Sequence, residues 1–277
     1  MRALALACLA AVPVLSPVRA ADAPPAPARV VSMNLCTDQL ALLIAGPGQL
    51  VSVSYLAHDP RASAMAVEAA AIPANRGLAE DILRLAPDLV LAGSFSATAT
   101  VDMLRRTGMP VEVFPPESDF DDIRTNLRRM GHALGREAQA EALVARFDAD
   151  LAALSRPAGA GGRAAIYEAN GYSAGRATLA GSIVAAAGLD NVAGDLGLPH
   201  GGMLSLEELV MAAPDLLVLS RQDRGTSRAE EVLDHPALRM LAARGPVAPV
   251  TDADWVCGTP HVLRAVATLR AALETAP

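Results

Sequence analysis

Two segments of this chain, 127 residues apart, match each other without a gap. Residues 78–91 and 205–218 each contain a short helical stretch with an early glutamate, the sequence Ala-Pro-Asp-Leu, and an apolar run. Each unit therefore predicts a helix that is stopped by proline, a tight turn, and a strand that is buried on both faces. A duplicated unit of this kind indicates a chain built from two similar halves.

Strand and helix candidates alternate on both sides of these units. The strand candidates are residues 29–33, 50–54, 88–92 and 111–114 in the first half, and residues 163–167, 216–219 and 246–250 in the second. Short apolar runs separated by helical stretches are typical of a parallel sheet covered by helices. The sequence therefore predicts an α/β protein.

The segment 119–155 contains no strand candidate and separates the two halves. Residues 119–134 have a helical pattern, Gly135 interrupts it, and residues 136–155 carry an apolar stripe at three- and four-residue spacing. A helix of this length spans about 30 Å, roughly the diameter of a domain. We expect two Rossmann-like lobes, each a parallel-rich sheet covered by helices, bridged by one long helix. The expected boundaries are 22–118 for the N-terminal lobe, 119–155 for the helical segment, and 156–277 for the C-terminal lobe.

The first 21 residues have the layout of a secretory signal peptide. Arg2 precedes an apolar run at residues 3–15, and small residues surround a cleavage point near Ala20 and Ala21. The run is shorter than the roughly 20 apolar residues of a membrane-spanning helix. A buried N-terminal helix is the alternative. We expect an exported, periplasmic monomer that does not insert into a membrane.

The charge balance narrows the class of partner. The formal net charge is −7, and no basic tract occurs, which argues against nucleic acid or an anionic membrane surface as a partner. A nucleotide-dependent oxidoreductase would carry a Gly-x-Gly-x-x-Gly turn after the first strand, but the sequence there is Asn-Leu-Cys-Thr-Asp. We therefore expect no nucleotide cofactor and no enzyme activity of that class.

Several further stretches carry a family resemblance. They are RVVSMNLCTDQLALLIAGPGQLVSVS at 29–54, GSIVAAAGLDNVAGD at 181–195, and DADWVCGTPHVLRAV at 252–266, beside the two Pro-Asp-Leu units. In this order and spacing the chain resembles the helical-backbone (class III) substrate-binding proteins of ABC importers for ferric siderophores, haem and cobalamin. The resemblance implies a ligand held in a cleft between the lobes, an ABC permease with its ATPase as partner, and no resident cofactor or catalytic residue.

The resemblance also assigns a role to two glutamates. Glu80 and Glu207 match the positions at which family members dock one glutamate of each lobe onto the permease. Both residues fall early in a predicted helix, where a carboxylate also interacts favourably with the positive end of the helix dipole. Docking and this local role both remain open at this point.

The predicted fold selects the loops that would hold a ligand. In open α/β sheets ligands bind outside the carboxyl ends of the strands, which here selects residues 34–38, 55–59, 93–96, 168–176, 220–224 and 252–257. Within these loops we expect Tyr55, Tyr172 and Trp255 to press against a flat or conjugated ligand. Arg176 and Arg221 are candidates to pair with its anionic groups.

Histidine and cysteine give weaker signals. His58 and His200 fall in loops and could each contact a metal centre, but no cluster for a bare metal ion is evident, so we expect none. Cys36 and Cys257 follow the first and last strand candidates. They could form a disulfide if their Cα atoms lie within about 7 Å, and two independent thiols are the alternative.

The sequence does not settle the identity of the ligand. A ferric siderophore is the first expectation, because that branch of the resemblance is the broadest, with a corrinoid second and haem third. An exported ligand sensor on the same fold is an alternative function, since fold does not decide function. A secreted hydrolase is the least favoured alternative.

Overall fold

The computed structural model describes residues 25–157, 159–219 and 227–275. The predicted signal peptide, Arg221 and the loop at 220–224 lie outside these ranges. The first half contains strands β1 (Val30–Ser32), β2 (Leu50–Ser54), β3 (Ala74–Asn75), β4 (Leu89–Gly93) and β5 (Val111–Phe114), with helices α1 (Leu35–Ile44), α2 (Ala66–Ala69), α3 (Ala79–Arg84) and α4 (Thr98–Arg106) and a 3-10 helix at Tyr55–His58. The five strands form one parallel sheet in the order β3-β2-β1-β4-β5.

Two consecutive helices lead from the first half to the second. They are α5 (Phe120–Leu134) and α6 (Glu137–Leu154), and Gly135 separates them in a left-handed conformation with φ 64°. Glycine adopts this conformation without the steric cost that a side chain adds. The 18 residues of α6 pack against α5, and the same helix also contacts the C-terminal helix at Leu263–Glu274. The predicted long helix between the halves is therefore present.

The second half repeats the α/β pattern. Its strands are β6 (Arg163–Tyr167), β7 (Tyr172–Ser173), β8 (Asp190–Asn191), β9 (Gly202–Met203), β10 (Leu216–Leu219) and β11 (Val247–Pro249). Its helices are α7 (Leu179–Ala186), α8 (Val192–Asp195), α9 (Leu206–Ala212), α10 (Pro236–Ala242), α11 (Asp252–Trp255) and α12 (Leu263–Glu274), with 3-10 helices at Ala169–Gly171, Arg228–Asp234 and Pro260–Val262. A parallel sheet has the order β11-β10-β6-β8, and β7 pairs with β9 in an antiparallel ribbon.

One apolar cluster runs through both halves. Val30 and Leu91 of the first sheet, Phe147 of α6, and Ile166 and Val218 of the second sheet all belong to it. The continuous runs of β1, β4, β6 and β10 are buried on both faces, as expected for strands in a parallel sheet. The predicted α/β fold with two lobes is confirmed, and the residue boundaries of the lobes stay a prediction.

The sequence repeat is also a repeat of hydrogen bonds. In the first half the backbone N–H of Arg29 donates to the Asp88 carboxylate at 3.0 Å, and the Asp88 N–H donates to the Arg29 carbonyl at 2.9 Å. In the second half Arg163 and Asp215 make the same two bonds, each at 2.8 Å. The aspartate of each Pro-Asp-Leu turn therefore fixes the start of the neighbouring parallel strand.

Two local predictions are wrong. Residues 34–38 were expected to form a loop, but α1 begins at Leu35, because the Asn34 side chain accepts hydrogen bonds from Cys36 N at 3.0 Å and Thr37 N at 3.4 Å. Residues 252–257 were expected to form a loop, but α11 occupies most of that segment. Within the described ranges, none of the helices is both long enough and apolar enough to cross a bilayer.

Candidate functional site

The two halves are joined covalently beside the carboxyl ends of their strands. Cys36, at the start of α1, and Cys257, after α11, form a disulfide with their Cα atoms 5.0 Å apart. Next to this bridge, the Glu117 carboxylate accepts a hydrogen bond from the backbone N–H of Gly258 at 3.3 Å and another from Asn126 Nδ2 at 2.5 Å. Burial raises the pKa of Glu117. The disulfide and the hydrogen bond from Gly258 to Glu117 both connect the first half to the second at this point.

Two hollows are lined by residues of both halves, and the first includes Cys36 of the disulfide. One has a volume of about 150 Å³ and is lined by Asn34, Gly93, Phe95, Phe114, Glu117 and Val256. The other is more open, with a volume of about 350 Å³, and lies between the segment 60–67 of the first half and Thr251, Asp254 and Arg264 of the second. Both are bounded by residues from the two halves, as a ligand cleft between lobes requires.

Large apolar side chains are exposed in the hollows and in the predicted ligand loops. Phe95 and Val256 line the first hollow and Val67 the second, and Phe95 is 85% and Val67 87% exposed. In the ligand loops Tyr55 is 56% exposed and Tyr172 is 37% exposed. Sequence reasoning predicted the two tyrosines but missed Val67, Phe95 and Val256. The available signal was weak, because an apolar residue in a sequence is expected to be buried by default. Phe95 does lie in the predicted ligand loop at 93–96.

The buried carboxylate of Asp38 fixes the backbone that immediately precedes Tyr55. Asp38 of α1 accepts hydrogen bonds from the Ser54 backbone N–H at 3.0 Å and from the Ser54 hydroxyl, and Ser54 precedes the 3-10 helix that carries Tyr55. Burial raises the pKa of Asp38 to about 6, and hydrogen bonds from Ser32 and Ser54 oppose the shift. His58, in the same 3-10 helix, is exposed, and its Nε2 lies 3.0 Å from the Ile72 carbonyl oxygen.

The second half presents Tyr172 from the short antiparallel ribbon. Tyr172 is directly opposite Met203 in this ribbon, so their side chains are neighbours on one face. Arg176 donates from Nη2 to the Gly194 carbonyl, which commits part of its guanidinium to the protein backbone. His200 precedes Met203 by three residues in the sequence and is exposed.

Trp255 is not placed as the sequence suggested. It is the last residue of α11, is only 6% exposed, and packs in the main apolar cluster. The segment that carries it forms a helix whose apolar side faces the core. The indole therefore offers a ligand little surface, whereas Tyr55 and Tyr172 offer much more.

Two carboxylate side chains, Glu168 and Asp252, follow the carboxyl ends of strands β6 and β11 of the second sheet. Burial raises the pKa of Glu168 to about 7, and the neighbouring charge of Asp252 adds to the shift. Glu168 follows β6 directly and is half-buried. Sequence reasoning included both residues in ligand loops but did not assign them a role.

Glu80 and Glu207 occupy equivalent exposed positions. Each lies in the first turn of its helix, α3 or α9, and its side chain is exposed. Their sequence neighbours are engaged locally: Asp81 pairs with Arg84, and Glu208 forms a capping box with Ser205. The two predicted docking glutamates are therefore available to a partner.

A hydrolase would need an accessible nucleophile. Residues 171–175 do fit the pattern Gly-x-Ser-x-Gly, which marks the nucleophile of many hydrolases when its serine sits on a strand-to-helix turn. Ser173 instead lies in β7, is fully buried, and donates its hydroxyl hydrogen to the Ile166 carbonyl at 2.6 Å. The pattern is structural in this chain.

Comparison with known proteins identifies the family. A profile of the family "Periplasmic binding protein" matches residues 30–244, which is most of the chain. The chain belongs to the periplasmic binding protein family. The members of this family are binding proteins, which agrees with the cleft between the lobes.

Similar proteins include several members with assigned ligands. A cobalamin-binding protein from Halobacterium salinarum is 30% identical over 198 residues, covering 69% of this chain and 53% of the relative. This chain thus spans about half the length of the curated relatives it matches. A periplasmic heme-binding protein, RhuT from Roseiflexus sp. RS-1, has a TM-score of 0.70 at 24% identity, covering 88% of this chain and 98% of that one.

A third similar protein is assigned to iron transport. The crystal structure of an ABC-type Fe³⁺-hydroxamate transport system from Saccharomonospora viridis has a TM-score of 0.67 at 22% identity, covering 89% of this chain and 93% of that one. At these identities the structures share the fold of this periplasmic binding protein, and their ligands differ among themselves.

Proposed function

We propose that this periplasmic binding protein captures a corrinoid in the cleft between its lobes and delivers it to the permease of an ABC importer. It acts in the periplasm after removal of the signal peptide, and it has no catalytic role. The observation that carries the proposal is the set of exposed apolar side chains that line the two hollows, Val67, Phe95 and Val256, together with the exposed Tyr55 and Tyr172 of the predicted ligand loops. Such a surface suits a large ligand with extended apolar faces.

The charges of the cleft favour a corrinoid over a more anionic chelate. Arg264 pairs with Asp254 at 3.1 Å, and Arg176 donates to a backbone carbonyl, so these guanidinium groups are already engaged. Asp252 adds negative charge at the end of the second sheet, and Glu168, whose pKa is raised to about 7, adds part of a charge at neutral pH. A corrin ring carries neutral amide side chains, whereas haem carries two carboxylates that would be repelled there.

The cobalamin-binding relative from Halobacterium salinarum also supports this order. The sequence alone ranked a ferric siderophore first, on the breadth of that branch of the family. The identity with this relative is the reason to propose a corrinoid first, since Arg76 at Tyr55 remains available to an anionic ligand of any class.

Binding of defined chelates tests the ligand. We expect cyanocobalamin to raise the melting temperature of the processed protein, and hemin and ferrichrome to have much weaker effects. A ligand at 100 times its Kd stabilises a protein by about 2.7 kcal/mol, which is readily detected. If only ferrichrome or hemin stabilises the protein, the corrinoid assignment is wrong.

Variants of these exposed side chains test the place of binding. Phe95→Ala and Tyr172→Ala should each weaken cyanocobalamin binding about tenfold, because each removes a large contact surface from the proposed binding site. Met211→Ala is the matched control. Met211 is 84% exposed but lies at the end of α9, at the opposite edge of the sheet from the cleft.

The position of the two glutamates supports delivery to a permease. Helices α3 and α9 each end at the tight turn that starts a parallel strand, β4 or β10, so each helix begins near the carboxyl edge of its sheet. Glu80 and Glu207 therefore lie at the same edge as the cleft, one on each lobe. A partner that binds both carboxylates would face the cleft opening.

Loss of the two carboxylates tests docking. Glu80→Ala/Glu207→Ala should abolish stimulation of the permease ATPase in lipid nanodiscs while leaving the Kd for cyanocobalamin unchanged. Asp102→Ala/Asp150→Ala is the control, because it removes the same charge from two exposed helix positions elsewhere. Equal loss of stimulation in both double variants would contradict a specific docking role.

A further inference from the structure

Two residues stand at the same sequence distance from the predicted docking glutamates. Counting back four residues from Glu80 and Glu207 gives Arg76 and Met203. Arg76 follows β3, which pairs in parallel with β2, and Met203 ends β9, which pairs antiparallel with β7. The strands differ, but the position before each glutamate-bearing helix carries a cation in one lobe and a thioether in the other.

Both residues lie beside an exposed tyrosine of a predicted ligand loop. The Cζ atom of Arg76 is 5.9 Å from the centroid of the Tyr55 ring, which is a cation–π contact. Met203 is the cross-strand neighbour of Tyr172, within reach for a sulfur–aromatic contact. Each lobe thus presents a tyrosine with one companion side chain.

The two companions differ in what they can offer a ligand. Arg76 is exposed and has no carboxylate partner among the residues that the structure describes. Met203 is 64% exposed and is apolar. A ligand that bridges Tyr55 and Tyr172 would meet a free guanidinium at one end and an apolar surface at the other.

We propose that Arg76 and Met203 determine the orientation of the ligand: Arg76 binds an oxyanion of the ligand, and Met203 with Tyr172 packs against an apolar part of it. The inference rests on the proposed corrinoid binding. In a cobalamin the only oxyanion is the phosphodiester of the nucleotide loop, so this loop would face the first lobe. A guanidinium matches the geometry of a phosphate and keeps its charge at every physiological pH.

A pair of related corrinoids tests the nucleotide loop that carries the oxyanion. Cyanocobalamin carries the phosphodiester with its ribose and base, and dicyanocobinamide lacks all three, while the corrin ring is the same. Arg76→Met should weaken cyanocobalamin binding about tenfold, the usual worth of one hydrogen bond to a charged group, and leave the Kd for dicyanocobinamide unchanged. Met203→Ser should weaken both corrinoids by the same factor. Titration calorimetry of the processed protein measures both constants.

Matched variants control for unspecific effects. Arg84→Met makes the same chemical change at an arginine that pairs with Asp81, and Met240→Ser does so at an exposed methionine of α10. Neither should alter binding. If Arg76→Met weakens both corrinoids equally, or neither, the orientation is overturned while corrinoid capture stands. If cyanocobalamin does not bind the unaltered protein, the proposed function and this inference fail together.

Discussion

The buried carboxylate of Asp38 accepts hydrogen bonds from both the backbone N–H and the hydroxyl of Ser54. Asp38 belongs to the helix after the first strand, and Ser54 ends the second strand, so this contact fixes the 3-10 helix that presents Tyr55. A titratable group without solvent exposure thus supports a predicted ligand loop.

This contact predicts a pH dependence of stability. The pKa of Asp38 rises from 3.8 to about 6 on folding, so the folded protein binds more protons between these values, and the free energy of unfolding falls as the pH rises through that window. The fall should be on the order of 2 to 3 kcal/mol. Urea unfolding at several pH values measures it. Asp38→Asn should reduce the dependence, with the remainder coming from Glu117 and Glu168, whose pKa values are also raised, and Asp102→Asn, at an exposed position of α4, should leave it intact.

The disulfide predicts sensitivity to reductant. It closes a span of 221 residues, so its loss should lower the free energy of unfolding by about 3 to 5 kcal/mol, chiefly by enlarging the unfolded ensemble. Urea unfolding with and without dithiothreitol measures this change. The Cys36→Ser/Cys257→Ser variant should resemble the reduced protein and show no response to dithiothreitol. Equal stability of the reduced and oxidised protein would count against this prediction.

The contact between Glu117 and Gly258 predicts the effect of one added methyl group. A Cβ atom at Gly258 would clash with the Glu117 side chain, so Gly258→Ala should destabilise the protein by about 2 kcal/mol. At Gly245 the nearest atom to an added Cβ is the Asp215 carbonyl oxygen at 3.4 Å, an ordinary contact. Gly245→Ala should therefore change the stability little. Thermal melting of both variants distinguishes a local clash from a general effect of alanine.

The repeated turns predict two stabilising substitutions. Ala86 and Ala213, before the two prolines, have φ of 46° and 44°, a region that is unfavourable for a residue with a Cβ atom. Ala86→Gly and Ala213→Gly should each raise the free energy of unfolding by up to about 1 kcal/mol, since glycine is free of this strain. Ala243→Gly is the control. Ala243 also ends a helix but has φ −81°, and its replacement should destabilise the protein slightly.

Long periodic features of the fold could be predicted from the sequence. The repeated Pro-Asp-Leu units and the apolar stripe of 136–155 indicated two similar halves and the helix between them, because burial of apolar side chains decides both. The start of α1 was missed, since the Asn34 cap turns an apparently polar turn into a first helical turn. A cap of one residue leaves no periodic signal.

The site was harder to predict than the fold. Tyr55 and Tyr172 were singled out because aromatic residues are few in the chain, and their role as ligand contacts stays a prediction. The exposed Phe95 and Val67 were missed, since exposure depends on packing that the sequence does not display. The pairing of Tyr172 with Met203 rests on a ribbon of two residues per strand, too short for an alternating pattern. The sequence left the pairing of Cys36 and Cys257 open, because residues so far apart in the chain carry no information about their distance.

The disulfide between Cys36 and Cys257 also constrains when the protein can complete its maturation. Cys36 precedes nearly all of the described chain and Cys257 follows most of it, so Cys36 is synthesised long before its native partner. During that interval Cys36 is open to mixed disulfides with other proteins. Oxidation of the correct pair is therefore among the last covalent events in the maturation of this protein.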